Sequence, residues 1–146
     1  KNSSNYLFYK DIEALSVKHP NLIFFHGWVN HAKLVKLYKY FDLSVLLSQN
    51  HEGNSLFLME SIVSGTPVLA TRVGGIPEIV NEGFTGLLLD DPEDIEGVKK
   101  RIIRLLQDPK FYNSLKKNCS KIGRSKFSYA RAASELGCFL TEVLEG

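Results

Sequence analysis

The sequence predicts an α/β fold, a parallel sheet flanked by helices. Short segments rich in apolar, β-branched and aromatic residues alternate with longer amphipathic ones. The clearest strand candidates, LSVLLS and PVLATR, are apolar almost throughout, which suits strands covered on both faces. Proline and glycine fall at the junctions between the two kinds of segment.

The elements follow in order. A helical period runs over 6–18, and LIFFHGW (22–28) reads as the first strand. A helix over 31–41 leads into LSVLLS (43–48), and a polar loop then opens a helix over 55–64. Gly65 stands where a C-terminal glycine ends a helix, and Thr66-Pro67 turns the chain into PVLATR (67–72). A short helical turn near 76–81 precedes TGLLLD (85–90). Helices over 94–107, 110–122 and 129–144 complete the chain, the first two separated by Asp108-Pro109, since proline suits a first helical turn. No internal repeat, low-complexity tract or linker divides it. We read 1–146 as a single partial domain, with C-terminal helices over about 109–146.

Bulk properties narrow the function. Hydrophobic residues at 44% and charged residues at 23% are ordinary for a globular chain and argue against disorder. A chain of 146 residues buries roughly 68 to 70% of its unfolded surface, enough for a sizeable core. The net charge of +2 is mild, and the basic residues near Lys99 to Arg104 and along Lys116 to Arg124 read as solvated helix faces; no nucleic-acid partner is expected. Cys119 and Cys138 form neither a disulfide framework nor a metal-ligand pattern with the four histidines, which fits a reducing, cytoplasmic setting and no bound metal. No apolar run approaches the roughly 18 residues of a membrane span, and KNSSNYLFYK does not read as a signal peptide. The chain opens on Lys1 rather than Met, as a processed chain or a fragment would.

The stretch EGNSLFLME sets Glu52 and Glu60 eight positions apart. On one helix they would be about 80° apart around the axis and roughly 12 Å along it, too far to share a proton. With Glu52 in the loop and Glu60 in the second turn, both flank the helix start. That start lies beyond the carboxyl end of a strand, where open parallel sheets bind ligands. Unpaired backbone N–H groups and a partial positive charge there suit a phosphate. Gly53 allows close approach of the backbone, and Asn54 or Ser55 is placed to cap the helix. Carboxylates beside a phosphate find natural partners in the vicinal hydroxyls of a sugar. The simpler reading stands beside this one: Glu52 favours the helix dipole and Glu60 is a solvated helix residue.

A second motif, ATRVGGIPEIVNEGFTGLLL, places Gly74 and Gly75 in a tight turn at the same edge of the sheet, without the spacing of a dinucleotide fingerprint. Glu78 either lines that cleft or faces water. Gly83 and Gly86 read as structural turn residues. His51, next to Glu52, has no visible nucleophile partner, and His26 reads as a strand-end residue. Trp28 and Val29 sit where a strand would end, suited to core packing or to contact with a planar base.

Taken together, the ordered run Glu52, Glu60, Gly65, Thr66, Pro67, Val68, Gly74, Gly75, Pro77 and Glu78 resembles the donor-binding half of retaining glycosyltransferases of the family-four group, which have the GT-B fold. LIFFHGWV and KLYKYFDLSVLLS, with Asp42 opening its strand, agree with it. The resemblance implies a Rossmann-like sheet, the C-terminal half of a GT-B fold with its first strands missing. It implies transfer of a sugar, with retention, from a UDP- or GDP-sugar to a glycan, lipid or small-molecule acceptor, as in polysaccharide biosynthesis. No cofactor or metal is implied. Glu52 would orient the transferred sugar, Glu60 would bond the ribose hydroxyls, and the N–H groups of Asn54, Ser55 and Leu56 would face the diphosphate. Gly53 would shape that loop, and Trp28 and Val29 would lie near the base.

Two departures accompany the resemblance. Asn54-Ser55 stands where the family usually has Phe-Gly or Phe-Pro, and the Arg and Lys that neutralise the diphosphate in the family have no counterpart in this chain. We therefore expect the C-terminal portion of a longer enzyme, with the acceptor held by an N-terminal domain and room for peripheral membrane association of the full-length protein. The alternatives are a non-catalytic nucleotide-binding or interaction domain, or another enzyme of GT-B type such as a sugar-nucleotide epimerase. A phosphorylase would want a pyridoxal lysine motif, which is not found.

Overall fold

A computed structural model describes residues 3–50 and 52–145. The chain divides into two compact units, residues 1–34 and 35–146.

In the first unit, α1 (Ser3–Lys18) ends in a turn where His19 O accepts from the amides of Leu22 and Ile23. The segment 22–28, expected as a strand, is not one. A strand exists only as part of a ladder, and among the described residues no strand pairs with this segment. Its side chains are correspondingly open, with Leu22 79%, Phe24 68% and Trp28 86% exposed. Tyr9 meets Phe25 edge-on, ring centroids 6.0 Å apart. Asn30 caps the next helix, α2 (His31–Tyr38), its side-chain oxygen accepting from the Ala32 amide at 2.9 Å.

The second unit holds a parallel sheet of β1 (Ser44–Leu46), β2 (Val68–Thr71) and β3 (Gly86–Leu89) in the order β1-β2-β3. Ser44 pairs with Val68 and Val68 with Gly86, so the three strands run in step. Because successive strands move across the sheet in one direction, right-handed crossovers place both connecting helices on the same face. These are α3 (Leu56–Val63) and the short α4 (Ile76–Ile79). Alternation along the strands then divides the core. Val68, Ala70 and Leu88 pack with Leu58, Ile62, Ile76 and Ile79 on that face. Leu69, Leu87 and Leu89 pack on the other with Leu105 of α5 (Ile95–Gln107) and Leu115 of α6 (Pro109–Lys126).

The strand expectations hold for β2 and β3, which are buried at every position. They fail in part for β1, where Val45 is 40% exposed. Val45 pairs in register with Leu69, and the cover that Leu105 and Leu115 give that face over β2 and β3 does not extend fully over β1.

Two helix ends explain themselves. After α3, Gly65 adopts φ +84°; its amide donates to Ile62 O and that of Thr66 to Ser61 O, which satisfies the last carbonyls of the helix. At the start of α6, Asp108 accepts from the Phe111 amide at 3.0 Å with Pro109 behind it. The helix α6 continues four residues beyond its expected end at 122, because Gly123 does not break it. A Cβ at Gly123 would lie 2.5 Å from the Val63 Cα, so glycine here lets α6 lie directly on α3. Finally α7 (Tyr129–Glu145) leaves Leu136, Phe139, Leu140 and Val143 exposed. No described helix is long and apolar enough to cross a membrane.

Candidate functional site

Parallel strands deliver their following loops to one edge, so the loops after β1 and β2 emerge side by side. The structure brings the two sequence motifs together there. The Gly75 amide donates to Glu52 O at 2.8 Å. Gly74 has φ +52°, and a Cβ on it would lie 2.1 Å from the same oxygen. A Cβ on Gly75 would lie 2.9 Å from Gly53 O. The glycine pair is therefore the bed on which the Glu52–Gly53 backbone rests, and this requirement accounts for its composition.

The Glu52 side chain is oriented by its own loop. Ser48 Oγ donates to Glu52 Oε2 at 3.1 Å, while Ser48 O accepts from Thr71 Oγ1 at 2.7 Å. Thr71 is fully buried at the end of β2, so the sheet itself fixes the loop that presents the carboxylate. Glu52 remains partly accessible, and Gly53 and Asn54 are exposed.

The start of α3 differs from the expectation that Asn54 or Ser55 caps it. Ser55 takes the cap position with extended backbone (φ −74°, ψ 100°), yet its side chain makes no capping hydrogen bond, nor does that of Asn54 bond the first turn among the described residues. Ser55 is only 5% exposed. The first-turn N–H groups are left for another acceptor, which is the condition for anion binding at a helix start. Leu56 is 68% exposed at this end.

Glu60 lies in the second turn of α3, with Glu52 ahead of the helix. The Tyr38 hydroxyl donates to Glu60 Oε2 at 3.2 Å. Burial first, then the charge and hydrogen bond of Glu60, push the Tyr38 phenol far above its ordinary pKa, so it stays a donor. Glu60 also lines a groove of about 490 Å³ whose walls include Leu56, Met59, Val63, Lys126 and Phe127.

Glu78 is exposed and borders a polar hollow with Arg72, Asn81 and Glu82, where Lys126 Nζ donates to Glu78 O. Trp28 and Val29 belong to the first unit; Trp28 is exposed rather than packed in a core, for want of the strand that would have buried it. His26 is likewise exposed and ends no strand. His51 lies outside the described residues. Among those residues no cluster of three or more His, Cys, Asp or Glu could hold a metal ion.

Sequence reasoning missed Ser48, Thr71 and Tyr38. A hydroxyl four positions before a loop carboxylate was a usable signal for Ser48. Nothing local announces Tyr38, whose partner is 22 positions away.

The chain is 33% identical over 103 residues to the N-acetyl-alpha-D-glucosaminyl L-malate synthase of Bacillus anthracis, covering 70% of this chain and 26% of that protein. The structure superposes on a sucrose-phosphate synthase from Thermosynechococcus elongatus with a TM-score of 0.77 and 28% identity, over 93% of this chain and 34% of the other. It superposes on HepE of Anabaena, solved in complex with UDP, with a TM-score of 0.83 and 20% identity, over 96% and 38%. The chain thus spans about a quarter to two fifths of the length of these proteins. The family model described as "Glycosyl transferases group 1" matches residues 4–122, and the chain belongs to that family.

Proposed function

We propose that the chain is the donor-binding part of a retaining glycosyltransferase that takes a sugar from a nucleoside-diphosphate sugar, with no metal or other cofactor called for. The observation that carries this reading is the Glu52 loop, held by Gly75 and Ser48 beside the uncapped start of α3. A carboxylate and a set of backbone donors then stand at one edge of the sheet, as recognition of sugar hydroxyls together with a diphosphate requires.

Each residue has a role in this reading. The N–H groups of Asn54, Ser55 and Leu56 receive the diphosphate, with Gly53 keeping the backbone accessible. Glu52 accepts from hydroxyls of the transferred sugar and orients it. Glu60 accepts from the ribose hydroxyls, and the apolar walls beside it suit a nucleoside. Retention follows if the acceptor hydroxyl attacks on the face from which the diphosphate departs. The departing diphosphate gains charge as its bond to the anomeric carbon breaks, so fixed N–H dipoles stabilise the transition state more than the ground state. The complexes of HepE with UDP and UDP-glucose, in a matching fold, support a nucleotide-sugar donor.

Calorimetric titration of the full-length protein with UDP, GDP, ADP and UDP-glucose tests the reading. We expect one base to be preferred, and Glu60→Ala to weaken binding of the nucleotide about tenfold or more, the loss of hydrogen bonds to a charged acceptor. Glu52→Gln should weaken the sugar-bearing donor while sparing the bare diphosphate. Absence of binding, or binding indifferent to Glu60, would refute it.

A further inference from the structure

Tyr38 ends α2 and Glu60 lies in the second turn of α3, yet folding brings the phenol to the carboxylate at 3.2 Å. The ring is fully buried, meeting Phe57 at 5.9 Å and Phe41 at 6.2 Å between centroids. Its backbone is held as well: Thr66 Oγ1 donates to Tyr38 O at 2.7 Å, from the turn that terminates α3. Ring and main chain are thus tied to both ends of the helix bearing Glu60.

Packing alone does not account for the hydroxyl. A phenylalanine would fill almost the same volume against Phe41 and Phe57 without burying a polar oxygen, and a buried hydroxyl is costly unless it is bonded. Its acceptor is a glutamate that also borders the groove. A phenol has one proton to give, and it is given to Oε2. Glutamate loses substantial rotamer freedom when it is fixed, and a side chain ordered beforehand does not pay that cost when a ligand arrives.

We infer that Tyr38 is a positioning residue for Glu60, holding its carboxylate at the groove wall in the orientation that receives the ribose hydroxyls. The inference rests on the nucleotide-binding role given to Glu60 above. It makes ribose recognition depend on a residue that touches no substrate.

The test compares Tyr38→Phe, Glu60→Gln and the double variant in the full-length protein, by calorimetry with the preferred nucleoside diphosphate and its 2′,3′-dideoxy counterpart. Tyr38→Phe should weaken the ribonucleotide by about threefold to tenfold, the worth of pre-ordering one long side chain, and leave the dideoxynucleotide almost unchanged. The double variant should bind no worse than Glu60→Gln, because the hydroxyl acts only through that carboxylate. A purely structural role would move both nucleotides together or neither. Binding that depends on Glu60 but not on the Tyr38 hydroxyl, or effects that multiply in the double variant, overturns the positioning role alone. Absence of any nucleotide binding by the unsubstituted protein overturns the functional reading, and this inference with it.

Discussion

The amide of Gly75 donates to the carbonyl of Glu52 across 2.8 Å, joining the loop after β1 to the loop after β2. The bond is possible only because residue 74 turns with positive φ and neither glycine carries a side chain. Loop conformation at the proposed donor site is thereby a property of two neighbouring strands rather than of one.

Gly74→Ala should disturb both stability and that loop. A residue with a Cβ costs about 1 to 2 kcal/mol in this backbone region, before counting its collision with Glu52 O. We expect a total loss of about 2 kcal/mol or more in urea denaturation, accompanied by weaker donor binding. A variant that unfolds at the same urea concentration would contradict the contact.

Ser61 is fully buried, with its hydroxyl 2.9 Å from Ser44 Oγ and 3.1 Å from Thr66 O. Ser61→Ala leaves the buried Ser44 hydroxyl short of a partner and should cost about 1 to 3 kcal/mol. Replacing both serines by alanine removes donor and acceptor together, so the double variant should lose less than the two single losses added. Chemical denaturation of the four proteins measures this directly.

The two thiols should differ sharply in reactivity. Cys119 is fully buried and burial pushes its pKa up to about 12, while Cys138 is exposed. The thiolate is the reactive form. At pH 8 a disulfide reagent should label one cysteine rapidly in the native protein and both after denaturation.

The same burial sets a sign for alkaline stability. The folded pKa of Cys119 lies above the ordinary value of 9.0, so its contribution is complete below pH 9 and is lost as pH rises toward about 12. Within that window the wild type should lose stability faster than Cys119→Ala, by at most about 1.4 kcal/mol per pH unit. Parallel curves for the two proteins would show that the thiol stays protonated in neither state or in both.

Much of the sheet was legible because its rules are local. PVLATR and TGLLLD are buried strands because both faces are covered, and the glycine after 55–64 ends its helix as its composition requires. LIFFHGW misled for the opposite reason: its residues favour a strand, but a strand needs a pairing partner that no residue within the segment specifies. At the site, the polar loop read before a helix beginning near Asn54 or Ser55 placed Glu52 ahead of the helix and Glu60 inside it, as found. The absent cap at Ser55 and the bond from Tyr38 depend on packing between segments distant in sequence, and composition does not report such packing.

The placement of α6 bears on the order in which the chain can assemble. Leu115 seals one face of the sheet and Cys119, one turn later, seals the other, while Gly123 seats the helix on α3. Neither core layer is complete until this late segment is available. During synthesis the three strands must therefore wait, with apolar surface open, until α6 has emerged, and truncation before Pro109 should leave a collapsed, aggregation-prone chain rather than a smaller stable domain.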